Sequence, residues 1–356
     1  MDKKTHSAIK ILEKYKNLVW PEVNRSLTSP NFPPAFKIKP EYKDLEKFHW
    51  DLTRDYPLRK GKYTRPTLLI LISSAMGQNL KLMTKTATAM QLSEEWILIS
   101  DDIEDNSLLR RGKPTLHRMY NLELAVNASD TLQTVMWKVL FDNIPILGIK
   151  KTQEIIYEFY SMIMRTELGQ TADIKWFTDK NYNLTDEDWL FTAYSKSGYY
   201  SIGGPIRLGA IIANATPKQL GVLTQFGLDI GIVWQTVDDI LDVTSDFKGL
   251  KQHGNDIFEG KFTIILGHLL RLSKPKDKKK LMFILQKRRE EKSEKEVDWI
   301  IEKMHSLGSV DYAKKLANKY KEKAVRIFEK DLQFLSKQPY RNHLRQIIDF
   351  IVEREY

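Results

Sequence analysis

The chain has no cysteine in its 356 residues. That excludes a disulfide scaffold and any cysteine-based zinc or redox site, and leaves the compartment open. Long apolar runs are also missing. The longest, Pro66 to Met76, has the length of a core helix and falls well short of the ~18 residues that cross a bilayer. Met1-Asp2-Lys3-Lys4 leads into a mixed polar stretch, not an apolar signal segment. No Asn-Gly or Asp-Gly hairpin turn occurs, and no stretch alternates with period two, so strands are not expected. Proline is scarce in most of the chain. Seven of the 13 lie in the first 66 residues, and the stretches beyond favour long helices. Against these absences stand 42% hydrophobic and 11% aromatic residues, too many for a largely disordered chain. A net charge of +10 suggests an anionic partner.

Helical spacing dominates. Leu82, Met83, Ala87, Met90 and Ile97 recur at three- and four-residue steps. Residues 226–243 are almost continuously apolar, as in a helix buried on most sides. Leu344, Ile347, Ile348, Ile351 and Val352 form an amphipathic stripe. Residues 1–20 are predicted as one helix, 21–60 as a proline-punctuated connection with short helices, and the remainder as roughly ten helices. No solenoid repeat or low-complexity linker divides the chain. The expectation is all-α, with one domain over 1–356: residues 1–60 as the amino-terminal part, 61–270 as the core and 271–356 as carboxy-terminal helices.

Two acidic clusters carry the chemistry. Asp101-Asp102-Ile103-Glu104-Asp105 and, 137 residues later, Asp238-Asp239-Ile240-Leu241-Asp242 share one D-D-x-x-D spacing. On a helix, positions i and i+4 lie on one face, so the outer aspartates of each cluster point together. Each cluster follows an apolar run, Trp96 to Ile99 and Ile230 to Trp234. Carboxylates crowded at the end of a buried segment repel unless a cation neutralises them. All-oxygen donors suit Mg²⁺, which keeps waters and shares phosphates with a substrate. One cluster alone could be a solvated helix end; two with matching lead-ins argue against that. A di-iron bundle would need two Glu-x-x-His pairs, which the seven histidines do not supply.

Basic residues accompany both clusters: Lys62 and Arg65 upstream, Arg110 and Arg111 after the first, Lys196 between them, Lys251 and Lys261 after the second. Arginine gives forked contacts to phosphate and lysine a mobile point charge. Neither Gly-Lys pair fits the longer phosphate-loop pattern.

With these motifs in order, the sequence resembles the trans-isoprenyl diphosphate synthases, or polyprenyl synthetases, most closely those making geranylgeranyl diphosphate. The resemblance rests on Gly61-Lys62-x-x-Arg65-Pro66, the first Asp cluster with Arg110-Arg111-Gly112, and Gly169-Gln170-x-x-Asp173. It continues through Lys196-Ser197, Gln235-x-x-Asp238-Asp239-x-x-Asp242, Lys251-x-x-Gly254-x-Asp256 and Gly260-Lys261. It implies antiparallel helices around a deep central cavity, the isoprenoid synthase fold, in a cytoplasmic homodimer. Asp101, Asp102, Asp105, Asp238, Asp239 and Asp242 would bind Mg²⁺, three ions with substrate present, on an allylic diphosphate. Arg110, Gln170, Lys196, Ser197, Gln235, Lys251 and Lys261 would contact that diphosphate. Lys62, Arg65 and Arg111 would hold isopentenyl diphosphate. Asp101, Asp102, Asp105, Lys196, Asp238 and Asp239 would be the catalytic set. No protein nucleophile is required.

Three positions depart from the family. Glu94 stands where a His or Gln usually meets isopentenyl diphosphate, and a carboxylate there needs a partner such as Lys62 or Arg111. Ser100 stands where a His often precedes the Asp pair, and Ser197 replaces Thr. Trp96, about 7.5 Å below Asp101 at 1.5 Å per residue, and Ile97 would limit product length. A single deep aromatic resembles the C20 synthases of archaeal type, with farnesyl diphosphate as the second product. Competing readings are a terpene cyclase of the same fold, a non-catalytic subunit and a nucleic-acid binder. The cyclase would need only one Asp motif, and the subunit would have lost aspartates. The last would interleave basic and aromatic residues, which this chain does not. Residues 274–296 hold ten Lys+Arg against five Asp+Glu; they are expected to be solvated helix surface, with peripheral contact to a membrane that accepts the apolar product.

Overall fold

The amino-terminal helix α1 (Lys3–Ser26) runs straight through Pro21, where the sequence predicts a stop. Val19 and Val23, on either side of that proline, are both buried in the core. Their burial on one face offsets the lost N–H. The structure, a computed structural model, describes residues 3–245 and 252–353. Prolines 33 and 40 then shape two single-turn 3₁₀ segments, Pro34–Phe36 and Pro40–Tyr42. The expected short helices of this region are in fact one 16-residue helix, α2 (Lys43–Leu58), with Pro57 in its last turn.

The almost wholly buried α3 (Thr64–Ala75) precedes α4 (Thr84–Glu104), which ends at the first acidic cluster. A two-residue hairpin follows, β1 (Leu109–Arg110) with β2 (Lys113–Pro114), against the expectation of no strands among the described residues. Its turn is Arg111-Gly112, both at positive φ, a pairing that a search for Asn-Gly or Asp-Gly misses.

Next come α5 (Leu122–Phe141) and α6 (Ile149–Thr178), with α5 N-capped by the Asn121 side chain. After α7 (Asp186–Thr192) the chain widens into a π-helical stretch, Ala193–Gly203, then tightens into α8 (Gly204–Ile212). Helix α9 (Pro217–Thr244) starts from a Thr216/Gln219 capping box and ends in the second acidic cluster. A Cβ on Gly231 of α9 would lie 2.4 Å from the Cα of Gly198. Only glycine at both positions lets α9 and the π stretch meet backbone to backbone. Helix α9 is also long and apolar enough to cross a membrane, the one such helix among the described residues, but 56% of its apolar window is buried inside the bundle.

Beyond it lie α10 (Asn255–Glu259), α11 (Ile264–Leu272), α12 (Pro275–Leu285), α13 (Glu294–Ser306), α14 (Ser309–Lys330) and α15 (Tyr340–Glu353). Two apolar clusters form. The first reaches from Ala8 to Ile351 and joins the two ends of the chain, where Tyr15 Oη lies 3.3 Å from His343 Nδ1. The second groups the end of α9 with α11 to α14. Helix α9 belongs to both: Leu223, Phe226 and Ile230 pack in the first, and Ile232 through Val243, around the acidic end, in the second.

Candidate active site

On α4 the residues Glu94, Ile97, Asp101 and Asp105 follow one another at three- and four-residue steps and so share a face. All four line a cavity of about 380 Å³. Helix α9 brings Trp234, Gln235, Asp238 and Asp239 to the same cavity, and the π stretch brings Lys196, Ser197, Tyr200 and Ser201. The wide π turn sits at a functional wall, as such turns often do. The two acidic clusters, distant in sequence, thus meet in one space.

Lysines lie among these carboxylates. Lys196 Nζ is 3.2 Å from Asp101 and 3.7 Å from Asp173. Lys261 Nζ is 2.6 Å from Asp105 and 2.8 Å from Glu259. Burial pushes the Asp101 carboxyl up, but Lys196, Lys261 and Arg110 outweigh it and hold it below the usual range. Asp105 goes the other way, to about 7, because burial dominates and Asp101 and Glu259 stand near. Burial, reinforced by Asp256, raises Asp239 as well. Its carboxylate accepts hydrogen bonds from Trp189 Nε1 at 3.1 Å and Gln235 Nε2 at 2.7 Å. Gln235 in turn accepts from Ser197.

This donor set fits a hard divalent cation. Asp101 and Asp105, both facing the cavity, are met by ammonium groups where a metal ion could stand. Among the described residues no three acidic or imidazole side chains converge to hold an ion unaided. Mg²⁺ would complete its shell with water and phosphate. Asp101, Asp105, Asp238 and Asp239 would hold it.

Asp102 and Asp242 do not line the cavity. Asp102 is fully buried, gripped by Arg110 through both carboxylate oxygens and by Tyr56 Oη at 2.5 Å. Asp242 accepts the Asp256 backbone N–H at 3.0 Å and so anchors the start of α10. The shared D-D-x-x-D spacing therefore splits into cavity-facing and structural aspartates. Gln170 faces the cavity and donates to Glu104 at 2.5 Å. Lys62 is exposed, its Nζ 5.6 Å above the Phe350 ring. Lys251 lies outside the described residues.

The hairpin turn separates its two arginines: Arg110 serves Asp102, whereas Arg111 crosses to α4. Arg111 pairs with Glu95 at 2.9 Å and Glu94 at 3.4 Å, and Arg65 pairs with Glu94 at 3.2 Å. Glu94 thus finds Arg65 and Arg111, not Lys62. Trp96 forms cavity wall at 6% exposure, its indole N–H without a hydrogen-bond partner among the described residues. Ile97 lies beside it.

Sequence reasoning missed Glu259 and Arg289. Glu259 receives Lys261, Arg289 at 3.1 Å and Ser107 at 3.2 Å, and these cations hold it below the usual carboxylate range despite its burial. Arg289 also donates to Asn255 at 2.8 Å, and Lys292 donates to the carbonyls of Ile257 and Phe258 at 2.9 Å each. Residues 274–296 are therefore not all solvated surface: two of their cations brace α10. A run of mixed charge carries no sign of which members turn inward.

A family model described as polyprenyl synthetase matches residues 51–304. The short chain isoprenyl diphosphate synthase of Methanothermobacter thermautotrophicus is 30% identical over 297 residues, 83% of this chain and 87% of that protein. The geranylgeranyl pyrophosphate synthetase of Pyrococcus horikoshii Ot3 has a TM-score of 0.82 at 28% identity, covering 99% of this chain and 100% of that one. A geranylgeranyl pyrophosphate synthase of Corynebacterium glutamicum, solved with isoprenyl diphosphate and magnesium, also has a TM-score of 0.82. At 23% identity, with 96% and 99% coverage, it speaks for the fold alone.

Proposed function

The chain belongs to the polyprenyl synthetase family, and on that premise we propose that it extends an allylic diphosphate with isopentenyl diphosphate to a linear C20 product, geranylgeranyl diphosphate. It is a prenyltransferase with the all-α isoprenoid synthase fold. The observation that carries the reading is the shared cavity: residues of both acidic helix ends line one space together with Lys196, Lys261, Trp96 and Ile97.

Asp101, Asp105, Asp238 and Asp239 would hold Mg²⁺, which when bound neutralises the diphosphate and makes it a better leaving group. Lys196 and Lys261 leave their aspartates to meet the incoming phosphate oxygens. Preorganised cations at the point where charge builds stabilise the departing group. The allylic C–O bond breaks with its electron pair going to the diphosphate. The double bond of isopentenyl diphosphate then attacks the allylic carbon, and the resulting cation gives a proton to the departed diphosphate to restore an alkene. Trp96, Ile97 and Trp234 exclude water that would quench the cation.

Trp96 supports C20 as the length limit. Exposed apolar side chains on α5 and α6, among them Val126, Tyr157 and Met164, support a second copy of the chain as the partner that covers them. The deciding experiment incubates the protein with Mg²⁺, isopentenyl diphosphate and C5, C10 or C15 allylic diphosphates. Linear C20 diphosphate is the expected product. Hydrocarbon released without isopentenyl diphosphate would replace this reading with a cyclase.

A further inference from the structure

Two glutamates and two arginines pair around the middle of α4. Glu95 has no exposed surface; Arg111 and the Gln91 amide, at 2.9 and 2.6 Å, hold it in place. Arg111 also donates to the Tyr56 carbonyl at 3.1 Å and to Glu94. Arg65 is fixed on three sides, by Ser201 Oγ at 2.8 Å, by the Tyr200 ring 4.7 Å away and by Glu94. Glu94 and Arg65 line the cavity, whereas Arg111 and Glu95 stand behind them. An anion that approaches from the cavity therefore meets Arg65 and the Glu94 carboxylate together, with Arg111 behind them.

We propose that Glu94, seated on Arg65 and Arg111 and backed by Glu95, is a built-in occupant of the pocket for the second diphosphate, making it the residue that sets how weakly this chain binds its homoallylic substrate. The proposal rests on the prenyl-elongation reading above. With Glu94 paired to both guanidinium groups, their attraction for an incoming dianion is weakened. To use both arginines in full, the homoallylic diphosphate must displace Glu94 from them. Glu95 cannot leave, because it is enclosed. The allylic site, built from Asp101, Lys196, Lys261 and Asp238, shares none of these contacts and is unaffected.

Glu94→Gln keeps the shape of the side chain and removes its charge. Like-charge juxtaposition at a binding site is costly, so KM for isopentenyl diphosphate should fall by about tenfold or more in the variant. KM for the allylic diphosphate, bound through separate residues, should move by less than about twofold. Equilibrium binding of isopentenyl diphosphate alone to the full chain, by calorimetry, gives the same comparison without catalysis. Unchanged or weaker binding of isopentenyl diphosphate by Glu94→Gln overturns the proposal. Should Glu94→Gln melt early, Glu94→Ala provides the same comparison. If neither wild type nor variant elongates any allylic primer, the function reading fails, while the calorimetric comparison still decides the role of Glu94.

Discussion

Arg110 holds Asp102 through both carboxylate oxygens, its Nε 3.0 Å from each, and Tyr56 closes the pair from the other side. The aspartate most central to the first motif is thus a buried structural ion, while its neighbour Asp101 faces the cavity. The two should fail differently. Breaking one partner of a buried pair costs about 3–5 kcal/mol, so Asp102→Asn should lower the thermal melting temperature clearly. Asp101→Asn, whose side chain is partly exposed to the cavity, should melt above Asp102→Asn yet lose at least about a hundredfold in turnover, as removal of a main electrostatic contributor does. A scanning melt and a radiometric elongation assay on both variants check this; equal melting temperatures would remove Asp102 from its structural role.

Metal dependence should itself depend on pH. A carboxylate must be deprotonated to bind a cation. Burial raises Asp105 to about 7, so below that pH it keeps its proton and Mg²⁺ must displace it. Apparent Mg²⁺ affinity should therefore rise as pH climbs through about 7, by up to about tenfold per pH unit for one released proton. Chelator should abolish elongation at every pH. Mg²⁺ titrations of activity across that range provide the check, and a flat dependence would remove Asp105 as a ligand.

Arg289 lies outside every motif, yet it touches Glu259, which also holds Lys261. Arg289→Ala should release α10 and leave Glu259 to draw Lys261 away from Asp105. Misplacing a catalytic group by a fraction of an ångström is costly, and a fall in kcat of roughly tenfold is expected. Arg271→Ala, an exposed ion pair to Asp186 elsewhere, should leave kcat near wild type. Steady-state kinetics on the two variants compare them directly.

Trp96 fills the cavity wall with a large ring whose N–H has no described partner, so its contribution is volume. Trp96→Ala should open the floor and lengthen the products beyond those of wild type. Chromatography of the dephosphorylated alcohols reads the outcome, and an unchanged distribution would assign the length limit to other residues.

The helical class, the long helices beyond Pro66 and the two acidic ends were legible because each follows from local spacing. A helix repeats every 3.6 residues wherever its sequence is read. Local rules misled where packing outweighed them, as at Pro21, which the buried flank of α1 carries through the helix. The hairpin was invisible because Arg111-Gly112 reaches positive φ without asparagine or aspartate.

What the sequence by itself determined was the inventory: six aspartates in two matched clusters, an escort of basic residues, and one Glu where the family carries His or Gln. Which of those aspartates face the cavity was decided only in three dimensions. Asp101 and Asp102 are adjacent in sequence, but a step of about 100° around the helix sends one to the cavity and the other to Arg110. In the same way, Glu94 could be seen to need a partner, but only the fold could choose Arg65 and Arg111. Charges pair by distance in space, and residues 65, 94 and 111 come within reach only once the hairpin turns Arg111 back across α4.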